Sequence, residues 1–184
     1  MITSSLPCFF IWRCDTNVLA MDQARVGGWS VFNREGGSLV DCGCYDFSNT
    51  SYDYVEAILK IKELFAALIA KYGVKAVILE DIQCRQNLAT YRKLAWLQGN
   101  LLTLCAENNI PVSIVQPSVW QNWCRAQTDG AGRTKGAMTR AEAKKMSIGY
   151  VKEKFGVETD NDNLADAICI GWHGVCTDMN QKGI

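Results

Sequence analysis

The stretch that decides the fold is Ala-Val-Ile-Leu-Glu-Asp at residues 76–81, a short apolar run that ends in two acids. A β-branched run of this length is typical of a central strand buried on both faces. In open α/β sheets, the loops after the carboxyl ends of such strands carry the chemistry. We therefore interpret Glu80 as a candidate metal ligand. The alternative, for Glu80 and Asp81 taken alone, is that the acids only mark where the strand reaches water.

A second apolar run that ends in an acid lies near the start of the chain, where residues 18–22 read Val-Leu-Ala-Met-Asp. Two further strands are predicted at residues 28–32 and 38–47, and glycine-containing turns separate the three. Such turns between apolar and aromatic runs favour hairpins. We expect these three strands to form an antiparallel meander, with Asp22 at the end of its first strand.

Helices and short strands alternate in the rest of the chain. The pattern predicts helices at residues 54–72, 88–107, 118–124, 139–155 and 164–171, and strands at 76–80 and 112–115. In the first helix, three- and four-residue spacing predicts a buried face made of Val55, Ile58, Leu59, the Lys62 stem, Phe65, Leu68 and Ile69. This order combines an antiparallel hairpin set with parallel crossovers, so we predict an α/β domain with a mixed sheet.

The composition is that of one globular domain. Of the 184 residues, 48% are hydrophobic, and 19 basic side chains balance 19 acidic ones. A net charge of zero argues against a chain coated with base but is compatible with a basic stripe balanced by clustered acids. We assign residues 18–178 to one domain, 1–17 to a poorly ordered N-terminal extension and 179–184 to a C-terminal tail. No stretch has transmembrane length, so we expect no membrane association.

The cysteines favour a reducing compartment. Their number, nine, is odd, and several lie in stretches where free cysteine behaves as a small apolar residue. We expect a cytoplasmic protein without a disulfide framework. Cys42 and Cys44 are the one close pair, and with His173 as the single histidine a structural zinc site lacks ligands.

Asp166 is an acid inside an apolar helix segment. A buried lone carboxylate is costly, and a cation is its natural partner. The alternatives are an acid stabilised by the helix dipole or one bonded to a buried amide. If the helix begins early, Asp162 and Asn163 share its face. Carboxylates without histidine or thiolate select Mg²⁺ or Mn²⁺, and two such ions can cleave a phosphodiester.

Three segments together resemble the acidic motifs of RuvC-type Holliday junction resolvases, which belong to the RNase H-like nuclease superfamily. They are residues 18–32 with Asp22, residues 77–87 with Glu80, and residues 162–170 with the Ala-Asp-Ala core around Asp166. The resemblance extends from residue 18 to about residue 175. It implies a five-stranded mixed sheet flanked by helices, a homodimer, and Mg²⁺-dependent two-metal cleavage of paired strands at four-way DNA junctions in a bacterial or phage-infected cell.

The same resemblance implies roles for single residues. Asp22, Glu80 and Asp166 match the family's ligands, and Arg140 falls near the position of a basic residue at the scissile phosphate, with Lys135 or Lys144 as alternatives. Bacterial resolvases carry an aspartate where this chain has Asn163, so either Asp162 or Asn163 completes the site. The segment after Asp22 lacks the usual Pro-Gly and resembles divergent phage-type relatives.

Basic side chains near these motifs are candidates for phosphate contacts with DNA. They are Arg85, Arg92, Arg133, Lys135, Arg140, Lys144 and Lys145. For any single lysine among them a solvated helix face is the favoured interpretation, whereas the cluster as a group favours DNA binding. Tyr91 is a candidate for stacking at the junction centre, with a core position as the alternative.

Three other functions compete with junction cleavage. One is an RNase H-like nuclease that acts on a flap, an RNA–DNA hybrid or a ribosomal RNA precursor. Another is a junction-binding protein that has lost catalysis, which Asn163 suggests. Phosphoryl transfer from ATP is the third, and the absence of a suitable glycine-rich phosphate loop in the sequence disfavours it.

Overall fold

Five strands and five helices follow one another in the part of the chain that the structure describes. The computed structural model describes residues 17–49, 54–83, 87–128 and 139–181. The elements are β1 (Asn17–Asp22), β2 (Val26–Asn33), β3 (Ser38–Asp46), α1 (Tyr54–Tyr72), β4 (Val74–Glu80), α2 (Leu88–Glu107), β5 (Val112–Val115), α3 (Pro117–Thr128), α4 (Arg140–Phe155) and α5 (Asp162–Gln181).

The five strands form one mixed sheet in the order β3-β2-β1-β4-β5. Strand β2 pairs antiparallel with both β1 and β3, whereas β4 pairs parallel with both β1 and β5. The prediction of three antiparallel strands plus two parallel strands, flanked by helices, is confirmed. Strand β1 is central and joins the two halves of the sheet.

Each face of the sheet has its own apolar core. Helices α1 and α2 cover one face, and α3, α4 and α5 cover the other. On β1, Val18 and Ala20 point to the α3–α5 layer, and Ile78 does so on β4. Because side chains alternate along a strand, Asp22 and Glu80 point to that same layer.

Helix α5 lies unusually close to the sheet. The hydroxyl of Ser30 donates a 2.7 Å hydrogen bond to the carbonyl oxygen of Ala167. A Cβ at Gly28 would overlap the backbone carbonyl of Asn163, and a Cβ at Gly171 would lie 2.7 Å from the Ser30 Oγ. Glycine at these two positions therefore sets the distance between β2 and the helix that carries the last acidic motif.

The buried face of α1 differs from the predicted one. Val55 and Leu59 are 49% and 52% exposed. Measured about the helix axis, both residues lie at least roughly 100° from the centre of the stripe that contacts the sheet. The residues that this stripe buries are Ala57, Ile58, Ile61, Phe65 and Leu68.

Several element ends also differ from the prediction. Strand β2 begins at Val26, and α3 continues to Thr128. Helix α5 begins two residues before the predicted residue 164, because the Asn161 side chain accepts hydrogen bonds from the backbone N–H groups of Asn163 and Leu164. It continues to Gln181, within the segment predicted as a tail. Within the described ranges, no helix is both long and apolar enough to cross a bilayer.

Candidate active site

Asp22 and Glu80 lie side by side at the carboxyl ends of two paired strands. The register of the parallel pair places Met21 opposite Leu79. The residues that follow them, Asp22 and Glu80, therefore lie on neighbouring strands whose backbones are about 4.8 Å apart. The sequence dictates this arrangement, because each strand is an apolar run that stops at its acid.

The other two acids come from the first turns of α5. Asp162 and Asp166 are four residues apart, so they share a face of the helix. Ala165 and Ala167 on either side of Asp166 are fully buried, which holds that carboxylate at the edge of the core. The carboxylate of Asp162 forms an ion pair with the ammonium group of Lys144 on α4.

These elements enclose one cavity of about 580 Å³. The four candidate ligands all line it: Asp22, Glu80, Asp162 and Asp166. Arg140 and Lys144 also line it from α4, where a four-residue spacing puts them on one face. The cavity is thus acidic where β1, β4 and α5 line it and basic where α4 lines it.

Burial and mutual repulsion perturb these acids. Burial raises the pKa of Asp22 well above its usual range, and the remaining acids raise it further, in the order Glu80, Asp166 and Asp162. Burial also raises the pKa of Asp166 to about 6, and the charge of Asp162 acts in the same direction. The folded chain therefore holds negative charge in one place at an energetic cost, which a bound cation would relieve.

The comparison with known proteins follows from this geometry. The model of the family described as crossover junction endodeoxyribonuclease RuvC matches residues 18–170. The chain belongs to the RuvC family. The matched range contains all three acidic motifs and all of the sheet except the first residue of β1, so the expected relationship to RuvC-type resolvases is confirmed.

Curated RuvC proteins are similar along most of their length. The crossover junction endodeoxyribonuclease RuvC of Nitratidesulfovibrio vulgaris strain Hildenborough is 29% identical over 150 residues, which cover 77% of this chain and 81% of that protein. The protein of the same description from Solidesulfovibrio magneticus is 26% identical over 165 residues, covering 84% and 89%. The predicted enzyme class, crossover junction endodeoxyribonuclease, agrees with these relatives.

Solved structures of RuvC and of a mitochondrial Holliday junction resolvase share the fold. Thermus thermophilus RuvC in complex with a Holliday junction substrate superposes with a TM-score of 0.65 at 19% identity, covering 89% of this chain and 96% of that one. The yeast mitochondrial Holliday junction resolvase superposes with a TM-score of 0.59 at 15% identity, covering 91% and 82%. This chain therefore shares the fold of these solved structures, and its five-stranded mixed sheet is consistent with an RNase H-like α/β fold.

The chemistry of the donor set fits Mg²⁺. Among the described residues, no three acid, histidine or cysteine side chains are close enough together to form a ready-made metal cage. Mg²⁺ does not require such a cage, because it keeps several waters and binds through one or two carboxylates and substrate phosphates. In this RuvC-family chain, Asp22, Glu80 and Asp166 offer carboxylate oxygens to one cavity.

Three residues that hold Glu80 were missed by sequence reasoning. The side-chain amide of Gln23 bridges both the N–H and the carbonyl of Glu80. Gln98 donates to the same carbonyl at 3.0 Å, and the Trp120 indole N–H donates to the carboxylate at 2.8 Å. One signal was available for Gln98, a polar residue one position after Leu97 on the apolar stripe of α2.

The predicted DNA contacts divide into three groups. Arg140 and Lys144 line the cavity, whereas Arg92 and Lys145 are exposed on α2 and α4 away from this lining. Arg85, Arg133 and Lys135 lie outside the described residues. Tyr91 lines the cavity and is partly buried, and its backbone N–H bonds to the carbonyl of the α2 N-cap residue Asn87 at 3.1 Å.

Proposed function

We propose that this chain is a metal-dependent endonuclease that resolves four-way or related branched DNA junctions by paired nicking. The observation that carries the proposal is the convergence of four carboxylates from β1, β4 and α5 on one cavity in a chain of the RuvC family. Relatives of this family are named crossover junction endodeoxyribonucleases, and one related structure contains a Holliday junction substrate.

In this proposal Asp22, Glu80 and Asp166 hold Mg²⁺, for which Mn²⁺ substitutes. A metal held by these carboxylates would supply activation of a water and stabilisation of the leaving oxygen of the phosphodiester. The chain supplies the orientation of the carboxylates and a partly buried setting that strengthens their attraction for a cation. Asp162 adds negative charge, and its ion pair with Lys144 ties α4 to α5 beside the ligands.

The basic side of the cavity binds the phosphate backbone in this proposal. Arg140 opens α4, and the capping box formed by Thr139 and Glu142 fixes the first turn of that helix. Lys144 follows one turn later on the same face. Contacts of this kind give affinity that depends on salt and little on base sequence. The exposed Arg92 and Lys145 extend this basic surface.

Paired nicking requires two active sites, and we propose that a homodimer supplies them. A two-fold dimer matches the near two-fold symmetry of a four-way junction and places one cavity on each of two strands.

The test is cleavage of a synthetic four-way junction with and without Mg²⁺, alongside a flap and an RNA–DNA hybrid. We expect Mg²⁺-dependent nicks on two opposite strands of the junction, little cleavage of the other substrates, and no nicking by Asp22→Asn although it still binds the junction. Asp160→Asn, which removes an exposed acid outside the cavity lining, is the matched control and should nick normally.

The competing functions predict different results in the same test. Preferential cutting of the flap or the hybrid would assign a different substrate to the same site. Tight junction binding with no cutting in either Mg²⁺ or Mn²⁺ would identify a binding protein that has lost catalysis.

A further inference from the structure

The carboxylate of Glu80 is held by a buried tryptophan from another layer of the fold. The indole Nε1–H of Trp120 on α3 donates a 2.8 Å hydrogen bond to Oε1 of Glu80. Trp120 is 1% exposed, so its indole N–H has no access to bulk water and needs an internal acceptor. A hydrogen bond to an ionised acceptor is about twice as strong as one between neutral groups.

The ring of Trp120 is fixed by its surroundings. It belongs to the apolar core formed by α3, α4 and α5, in which Cys124 of the same helix and Val151 of α4 are fully buried. A close-packed ring of this size has no alternative rotamer without a cavity opening beside it. The indole N–H of Trp120 therefore has a fixed direction, and its hydrogen bond fixes the position of the Glu80 carboxylate.

The strand that carries Glu80 is tied to the same frame. The Asp81 N–H donates a 2.8 Å hydrogen bond to the carbonyl of Val115, the last residue of β5. Helix α3 begins two residues after Val115, at Pro117. Gln23 and Gln98 fix the backbone of Glu80 from the opposite side. Both the main chain and the side chain of Glu80 are thus positioned by groups that do not themselves offer a carboxylate.

We infer that Trp120 is a positioning residue that orients the Glu80 carboxylate for metal binding. The inference rests on the proposed function, because it assigns Glu80 as a metal ligand. Partners that orient a ligand in this way typically change metal affinity or activity about 10–100-fold when they are removed. The loss should appear in the metal dependence of the reaction and leave junction affinity unchanged.

The test compares Trp120→Phe with Trp123→Phe. Both changes replace an indole with a phenyl ring on α3. Trp123→Phe is the matched control, because the ring of Trp123 contacts those of Tyr150 and His173. Calorimetric titration of Mn²⁺ into DNA-free protein should show binding weakened about 10–100-fold by Trp120→Phe and unchanged by Trp123→Phe. Half-maximal nicking by Trp120→Phe should require correspondingly more Mg²⁺, with a near-normal rate at saturation.

A merely structural role would give a different pattern. It would lower the maximal rate at every Mg²⁺ concentration, and added metal would not restore it. The double variant Trp120→Phe with Glu80→Gln separates the two roles. The positioning role predicts that it binds Mn²⁺ no more weakly than Glu80→Gln alone, whereas an independent structural loss would lower the Mn²⁺ affinity further.

A measurement on the unsubstituted protein covers the case in which Trp120→Phe does not fold. In a protein labelled with ¹⁵N at its tryptophans, titration with Mg²⁺ should shift one indole N–H resonance, and Asp22→Asn should abolish that shift. If no indole resonance moves while Mg²⁺ binds, the inference is wrong. Wild-type Mn²⁺ affinity in a folded Trp120→Phe variant would also overturn it. A wild-type protein that binds no metal would instead refute the proposed function.

Discussion

Replacing Asp166 by asparagine should stabilise the metal-free protein while it abolishes nicking. In the folded chain burial raises the pKa of Asp166 to about 6, against about 3.9 for an aspartate in an unfolded chain. A pKa difference of one corresponds to 1.36 kcal/mol, so ionising this carboxyl costs the folded state about 3 kcal/mol at pH 8. An uncharged asparagine of nearly the same shape removes that cost.

The sign follows from the proton balance. Above pH 6 the carboxyl is ionised in both states, and the full cost is present. As the pH falls from 6 towards 4, the folded state takes up a proton before the unfolded state does, so the cost disappears. The increase in the free energy of unfolding that Asp166→Asn gives over the wild type should therefore be largest at pH 8 and small at pH 4.

The assay is urea unfolding in EDTA and again in Mg²⁺. At pH 8 in EDTA, Asp166→Asn should raise the free energy of unfolding by up to about 3 kcal/mol, which corresponds to roughly 6–12 °C in Tm for a chain of this length. Mg²⁺ at 100 times its dissociation constant should stabilise the wild type by about 2.7 kcal/mol and the variant hardly at all.

Two results would refute this reasoning. One is an Asp166→Asn variant no more stable than the wild type in EDTA at pH 8, and the other is equal stabilisation of both proteins by Mg²⁺. Asp160→Asn, which changes an exposed acid, is the control and should remain within about 0.5 kcal/mol of the wild type.

Three further predictions concern the close approach of α5, the competition between protons and metal, and the basic side of the cavity. Gly28→Ala should cost about 1–3 kcal/mol of stability and reduce nicking because its Cβ meets the α5 backbone, whereas Gly99→Ala, which has open space, should be neutral or stabilising in the same unfolding assay. Mn²⁺ affinity should rise between pH 5 and pH 7.5, because Asp166 loses its proton near pH 6, and a flat calorimetric profile would contradict this. For junction binding, Arg140→Gln should make the negative slope of log binding constant against log salt concentration shallower by about 1. Lys75→Gln, at the amino end of β4, should leave that slope unchanged.

Much of the fold could be predicted from local patterns. The apolar runs that stop at Asp22 and Glu80 place both acids at strand ends, and alternation along the strands puts them on one face. Glycine-containing turns predict the meander of β1, β2 and β3. These features depend only on neighbours in the chain, so they are readable without a structure.

Other features depend on contacts between distant segments. Nothing in the sequence around Trp120 shows that its indole N–H bonds to Glu80, forty residues earlier. Likewise, the exposure of Val55 and Leu59 depends on which stripe of α1 the sheet covers, a choice that apolar spacing alone leaves open. The pKa of Asp166 depends on burial by elements from several parts of the chain.

The measurement that tests the account most directly is calorimetric titration of Mn²⁺ into the DNA-free wild type and into Asp22→Asn, Glu80→Gln, Asp166→Asn and Asp160→Asn. If carboxylates from β1, β4 and α5 form one divalent-ion pocket, the first three substitutions should each abolish or strongly weaken binding, and Asp160→Asn should bind like the wild type. A wild type that binds no metal, or any of the first three variants binding it normally, would contradict the account.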